Sequence, residues 1–170
     1  MKPALLIIDM QKEFYQGETL SQMDAAAEHI NWVLPGFTEK GLPVIYVQDV
    51  DEDGGVVPGT PGFEFIDSLT PKDGAIRIHK RYGNSFNKTD VDAILKEHGV
   101  DTPVITGFCA EFCVLSTYRG AKDLDYFPVI LKNGIASVKE ANKEFVENIS
   151  ETITAGMLAK LLDEVWSQIP

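Results

Sequence analysis

Residues 4–9 read Ala-Leu-Leu-Ile-Ile-Asp, a continuous apolar run closed by a carboxylate, and this run indicates the fold class. A strand with one face in water would alternate apolar and polar residues, whereas an unbroken run is typical of a strand buried on both faces of a parallel sheet. Similar β-rich runs recur along the chain, and we interpret each as a strand of the same sheet. They lie at residues 44–47, 75–79, 104–106 and 129–131, with a short candidate for a sixth strand at 157–159.

Helical patterns separate these strands. Apolar residues repeat every three or four positions after the first strand, which predicts one face of a helix over 23–37. Similar patterns predict a short helix capped by Thr89, a helix over 114–121 and a helix over 141–153. Strands that alternate with helices predict an α/β fold with a parallel sheet and right-handed crossovers.

Length and composition fit a soluble globular protein. The chain has 170 residues, and we expect residues 1–170 to form a single domain. Fifteen Lys and Arg against 26 Asp and Glu give a net charge of −11, so a nucleic acid is not an expected partner, because its phosphates would be repelled. We expect neither a membrane span nor a secretory leader. Two cysteines are too few for a disulfide scaffold, which predicts a reducing cytoplasmic location.

Two residues follow predicted strands where α/β sheets bind ligands, beyond the carboxyl ends of the strands. Asp9 directly follows the first strand, although a turn or a helix cap would also explain a carboxylate there. Cys113 stands where the fourth strand passes into a helix, and a helix start favours a nucleophilic thiolate. A buried structural cysteine is the competing interpretation. A redox pair with Cys109 is disfavoured, because the redox motif has two intervening residues rather than three.

A basic stretch runs from Lys72 to Lys88 and holds five of the fifteen Lys and Arg residues. It predicts either a positive site for a thiolate or an anionic substrate, or an ordinary solvated face. Metal binding is not expected, because His29, His79 and His98 fall on three different predicted elements. The glycines form neither a P-loop nor a dinucleotide-binding motif.

Three longer motifs occur in order along the chain. They are Leu-Leu-Ile-Ile-Asp-Met-Gln-Lys-Glu-Phe at 5–14, Lys-Arg-Tyr-Gly-Asn-Ser-Phe at 80–86 and Gly-Phe-Cys-Ala-Glu-Phe-Cys-Val at 107–114. A fourth, Pro-Gly-Thr-Pro-Gly at 58–62, lies in a loop over 49–74 whose length is typical of a functional loop. Together they resemble the isochorismatase-like cysteine hydrolase family, which includes nicotinamidases and N-carbamoyl amidases.

The resemblance implies a three-layer α/β/α fold, with a six-stranded parallel sheet in the order 3-2-1-4-5-6. It implies a catalytic triad of Asp9, Lys80 and Cys113, in which Cys113 is the nucleophile. It also implies a cis peptide between Phe108 and Cys109, and an oxyanion hole formed by the backbone N–H groups of Cys109 and Cys113. Asp9 and Cys113 should converge, because strands 1 and 4 are neighbours. The loop that carries Lys80 must fold inward over two strand spacings, roughly 10 Å.

Departures from the family pattern leave the substrate open. Ala110 stands where Thr is frequent, Asn133 where Asp is common, and Tyr118 and Gly120 replace a usual Ala and Asp. Metal-dependent nicotinamidases carry histidines after the second strand, whereas this chain has Asp-Val-Asp at 49–51.

The cysteine favours hydrolysis of an amide-like C–N bond in a small molecule through an acyl-cysteine intermediate, because vinyl-ether hydrolysis by isochorismatases needs no such intermediate. An isochorismatase-type ether hydrolase, a nicotinamidase and a non-catalytic binding protein on the same scaffold remain alternatives. Phe14, Phe86 and Phe112 are candidate pocket walls, with core packing as the other interpretation. We expect no cofactor and no metal, and the family implies a homo-oligomer.

Overall fold

A computed structural model describes residues 1–72 and 74–166 and contains a parallel sheet of six strands. The order β3-β2-β1-β4-β5-β6 confirms the predicted topology and brings β1 and β4 together at the centre. The strands are β1 (Pro3–Ile8), β2 (Val44–Asp49), β3 (Ile76–Lys80), β4 (Thr102–Gly107), β5 (Val129–Ile135) and β6 (Thr152–Ile153).

The sheet separates two hydrophobic cores, as the continuous apolar runs predict. Every residue of β1 is buried, and its side chains alternate between the cores: Leu5 and Ile7 enter one, Leu6 and Ile8 the other. Helices α1 (Thr19–Glu39) and α5 (Ala155–Trp166) cover the first core, and α2 (Val91–Glu97), α3 (Leu115–Asp123) and α4 (Glu140–Asn148) cover the second. The three-layer prediction is therefore confirmed. Within the described ranges, no helix has both the length and the apolarity needed to cross a bilayer.

The prediction of a sixth strand at 157–159 is wrong, because these residues lie in α5. Leu158 and Leu162 stand one helical turn apart, and both are buried in the core that α1 covers. A short apolar run can serve a strand or a buried helical face, and here the spacing of four belongs to the helix.

Two helix boundaries also differ from prediction. The helix predicted over 141–153 ends at Asn148, because the chain then returns to the sheet and Thr152–Ile153 pairs with β5. The N-cap position of α2 is Asp90, one residue after the predicted Thr89. The Thr89 hydroxyl still accepts the N–H of Val91, the first residue of α2, at 3.4 Å, and it donates to the carbonyl oxygen of Ser85.

The long loop after β2 folds back over the segment that follows β1. It contains two short 3₁₀ helices, Pro61–Phe63 and Asp67–Leu69. The N–H of Lys12 donates to the carbonyl oxygen of Glu64 at 2.8 Å. This return places the loop beside the carboxyl ends of the central strands, where the candidate site lies.

Candidate active site

A buried lysine connects the candidate site. The Nζ atom of Lys80 lies 2.7 Å from Oδ2 of Asp9, 2.9 Å from Oδ1 of Asp49 and 3.3 Å from Sγ of Cys113. Asp9 and Lys80 are each only 1% exposed. The three residues predicted as a triad are therefore brought together, and Asp49 joins them.

Strand register places Lys80, and no inward fold of its loop is needed. Lys80 is the last residue of β3 and pairs in register with Asp49, the last residue of β2. Its side chain extends past β2 to Asp9, which follows β1. The expectation of an inward-folded loop is thus corrected, because the predicted strand ended one residue too early.

The close approach of β1 and β4 holds Asp9 opposite the turn that carries Cys113, at Ala110–Val114. Phe108 donates its N–H to the carbonyl oxygen of Ile8 at 2.8 Å, and Asp9 donates its own to Val47 at 2.9 Å. Gly107 has φ of 110°, and a Cβ there would overlap the carbonyl oxygen of Ile8. Only glycine fits this junction of the two central strands.

Cys113 lies on a single π-helical turn, Ala110–Val114, that leads into α3. Such turns occur frequently at functional sites. The carbonyl oxygen of Cys109 accepts the N–H groups of Phe112 at 3.0 Å and Val114 at 3.2 Å, which fixes the turn. The peptide bond between Phe108 and Cys109 is cis.

The protonation states suit a base and a neutral thiol rather than a resting thiolate. Burial raises the pKa of Asp9 to about 6, although the charge of Lys80 opposes this shift. Burial, and next the negative charge of Asp9, raise the pKa of Cys113 to about 12 against the lowering effect of Lys80. Burial alone would lower the pKa of Lys80, but Asp9, Cys113 and Asp49 raise it above its ordinary value. The expectation of a thiolate favoured at rest is corrected, because burial and the charge of Asp9 together outweigh the lowering effect of Lys80 on the pKa of Cys113.

The two oxygens of Asp9 have different surroundings. Oδ2 accepts from Lys80, whereas the buried Oδ1 accepts no hydrogen bond from the described residues. The Cys113 thiol is close enough to act on the pKa of Asp9. Asp9 therefore interacts with both the ammonium of Lys80 and the thiol of Cys113.

Sequence reasoning missed the role of Asp49. The buried amide of Gln11 holds the backbone of Asp49, accepting its N–H at 2.7 Å and donating to its carbonyl oxygen at 3.1 Å. This clamp fixes the second carboxylate that binds Lys80. The sequence did contain a pattern that could have identified Asp49: it follows the second apolar run, as Asp9 follows the first.

Glu111 anchors the turn that carries Cys113 through its own side chain. Its Oε2 accepts the Cys109 thiol at 3.0 Å and the Ser137 hydroxyl at 2.7 Å, and its Oε1 accepts the amide of Asn142. Burial raises the pKa of Glu111, but the hydrogen bonds lower it by more than burial raises it, so the pKa lies below its ordinary value. An ionised Glu111 thus ties the turn to Ser137, between β5 and α4, and to Asn142 in α4.

Glu111→Gln is expected to lower the free energy of unfolding by about 1–3 kcal/mol. The amide nitrogen of glutamine cannot accept a hydrogen bond, so the side chain can no longer accept from the thiol of Cys109, the hydroxyl of Ser137 and the amide of Asn142 together. Urea titration followed by circular dichroism measures the change. Glu144→Gln on the exposed face of α4 removes the same charge and should leave the midpoint in place. Equal midpoints for Glu111→Gln and the parent would contradict an anchoring role.

A cavity of about 330 Å³ borders Asp49, the second carboxylate that binds Lys80. Asp49 and Phe108 line it, and Phe108 stacks on Phe14 with ring centroids 5.3 Å apart. Phe14 therefore lies where a pocket wall was predicted. Phe86 and Phe112 do not line this cavity: Phe86 is in the core that α2 and α3 cover, and Phe112 is 65% exposed.

Among the described residues of the basic stretch, only Lys80 contacts Asp9 and Cys113. Arg81 pairs with Glu52 at an exposed position, and Lys88 donates to the hydroxyl of Tyr82 at 3.0 Å. Across 1–72 and 74–166, no three His, Cys, Asp or Glu side chains are grouped so that they could hold a metal ion.

Comparison with known proteins gives consistent matches. A family model for the isochorismatase domain matches residues 3–157. An uncharacterized isochorismatase family protein of Bacillus subtilis, YddQ, is 31% identical over 81% of this chain and 79% of its own length. The ureidoacrylate amidohydrolase RutB of Caulobacter vibrioides is 29% identical over 85% of this chain and 80% of its own length.

Two solved structures share the fold at 28% identity. An isochorismatase-like hydrolase from Alkaliphilus metalliredigens aligns with a TM-score of 0.85 over 94% of this chain and 98% of its own. N-carbamoylsarcosine amidase from Thermoplasma acidophilum aligns with a TM-score of 0.78 over 91% of this chain and 97% of its own.

Proposed function

This chain belongs to the isochorismatase family of hydrolases, and we propose that it cleaves an amide-like C–N bond of a small molecule through an acyl-cysteine intermediate. The observation that carries the proposal is the buried contact of one ammonium with a carboxylate at 2.7 Å and a thiol sulfur at 3.3 Å. The amidohydrolase and amidase named among the similar proteins support the same bond type.

The first half-reaction forms the covalent bond. Asp9 takes the proton of the Cys113 thiol as the sulfur attacks the substrate carbonyl, and Lys80 stabilises the negative charge. The backbone N–H groups of Cys109 and Cys113 hold the oxyanion. The tetrahedral intermediate collapses as Asp9 returns its proton to the nitrogen, and the amine leaves. Cys113 then carries the acyl group as a thioester.

The second half-reaction releases the acid. Asp9 accepts a proton from water as the water oxygen attacks the thioester carbonyl. When the C–S bond breaks, Asp9 gives this proton to the sulfur of Cys113, which restores the thiol. A base with a pKa near 6 suits both steps, because it is ionised at neutral pH yet returns a proton readily. Hydrolysis of a vinyl ether needs no acyl intermediate, so the thiol contact favours C–N cleavage over the isochorismatase reaction.

The proposal predicts an acyl adduct on Cys113 during turnover. The protein is mixed with primary amides and N-carbamoyl amines in the presence of EDTA, and ammonia release is followed. An acid quench and mass spectrometry should show the substrate's acyl or carbamoyl mass on the peptide that contains Cys113. Cys109→Ala is the matched control and should retain the adduct. Ammonia release that persists in Cys113→Ala would contradict the covalent route.

A further inference from the structure

The cavity that Asp49 borders has both acidic and aromatic residues in its lining. Glu13, Asp49 and Asp51 line it, together with the stacked rings of Phe14 and Phe108. Its lining in the described structure contains no lysine, arginine or histidine. Small-molecule sites usually combine an apolar wall with a few placed polar groups, and here the charged groups all have one sign.

The positive charge of Lys80 does not offset this field. Lys80 is shared between the carboxylates of Asp9 and Asp49, which together leave one negative charge. Glu13 and Asp51 are exposed at the mouth of the cavity. Glu13 forms no ion pair with any described residue, and among these residues the carboxylate of Asp51 accepts only the N–H of Gly54, at 2.9 Å. The site as a whole therefore carries about three negative charges when its carboxylates are ionised.

Such a field discriminates between substrates by charge. A carboxylate brought into the cavity would meet uncompensated negative groups, whereas an ammonium or guanidinium would be attracted. The Phe14 and Phe108 rings add to this preference, because aromatic faces attract cations. The acrylate in the name of the Caulobacter relative's substrate would be repelled here.

We propose that the substrate carries an ammonium or guanidinium group near its scissile C–N bond and carries no carboxylate. That the substrate is an amide rests on the proposed function. The charge preference is a property of the cavity itself and can be measured without turnover.

The first test compares two thiol reagents of opposite charge at Cys113. These are 2-(trimethylammonio)ethyl and 2-sulfonatoethyl methanethiosulfonate. Each forms a disulfide with the thiolate and releases methanesulfinate. Rates are measured by mass spectrometry in the Cys109→Ala background at low salt, and each is divided by the rate with 2-mercaptoethanol. The corrected ratio should favour the cation about a hundredfold.

Pocket variants assign the effect to the cavity. Glu13→Gln and Asp51→Asn should each lower the ratio about fivefold, since one charge acts in opposite directions on the two reagents. Glu97→Gln is the control, because Glu97 is exposed at the end of α2 and its loss changes the net charge equally. A ratio near one, or a ratio that neither pocket variant changes, would overturn the proposal.

The second test measures kcat/KM for three amides of equal chain length. 5-Aminopentanamide carries an ammonium where hexanamide has a methyl group and adipamate has a carboxylate. The expected order is ammonium, then methyl, then carboxylate, and the reverse order would overturn the charge assignment while leaving C–N hydrolysis standing. A cation preference at Cys113 without hydrolysis of any amide would support the charge assignment and count against the proposed reaction.

Discussion

Replacing Cys113 by alanine is expected to lower kcat by on the order of 10³ or more while the protein stays folded. The loss follows because the sulfur forms the covalent bond of the proposed intermediate. The fold should survive because Lys80 keeps both of its carboxylates, Asp9 at 2.7 Å and Asp49 at 2.9 Å, when the thiol is removed. No buried charge is then left without a partner.

The measurement is ammonia release from the best amide of the panel, with circular dichroism to check the fold. Cys109→Ala is the matched control, since its buried thiol donates to Glu111 and does not contact Lys80. Its activity should stay within a few-fold of the parent. Activity of Cys113→Ala within tenfold of the parent would remove the covalent mechanism. If the parent protein binds an amide specifically and neither the parent nor Cys109→Ala hydrolyses it, the non-catalytic alternative would be favoured.

Most of the sheet could be predicted from the sequence because its signals are local. The runs at 4–8, 44–47 and 104–106 are apolar because parallel strands are buried on both faces, and each proved to be part of a strand. The order of the strands is not a local property, and it came from the family resemblance. The prediction for residues 152–162 was wrong for two reasons. The real strand β6 has only two residues and therefore shows no apolar run, and the buried face of helix α5 contains a short apolar run that resembles a strand.

The site was only partly predictable because it depends on register. Asp9 and Cys113 converge once β1 and β4 are neighbours, which the topology implies. The contact between Asp49 and Lys80 depends on the register in which β2 pairs with β3. A shift of that register by one residue would turn the side chain of Lys80 to the other face of the sheet. The raised pKa of Cys113 was also hidden, because burial is a property of the packed structure.

Replacing Lys80 by methionine is expected to move the reactivity of Cys113 to higher pH. Asp9 and Cys113 share protons, so they should titrate in two steps that belong to the pair. The lower step lies near pH 6, where the proton is lost mainly from Asp9, and the upper step lies near pH 12. Between them a small fraction of the pair exists as a thiolate beside a protonated Asp9, which is the form that reacts with iodoacetamide.

The sign of each change follows from the charges. Below pH 6 the pair holds one more proton, so the alkylation rate should fall about tenfold per pH unit. Lys80→Met removes the cation that stabilises both anionic forms, which should raise the lower step by one to two units and slow alkylation at pH 6 by about five- to fiftyfold. Asp9→Asn should abolish the lower step and leave a single thiol titration below pH 12, because the like charge is gone.

The alkylation of Cys113 is measured from pH 5 to 10 in the Cys109→Ala background, with the parent, Lys80→Met and Asp9→Asn side by side. Lys80→Met leaves buried carboxylates unpaired and should lose stability, so its fold is verified at each pH. Lys80→Arg keeps the positive charge, so its lower titration step should lie closer to pH 6 than that of Lys80→Met. A folded Lys80→Met protein with the parental curve would mean that Lys80 does not stabilise the anion. The catalytic group would then consist of Asp9 and Cys113 alone, with Lys80 serving to neutralise buried carboxylates.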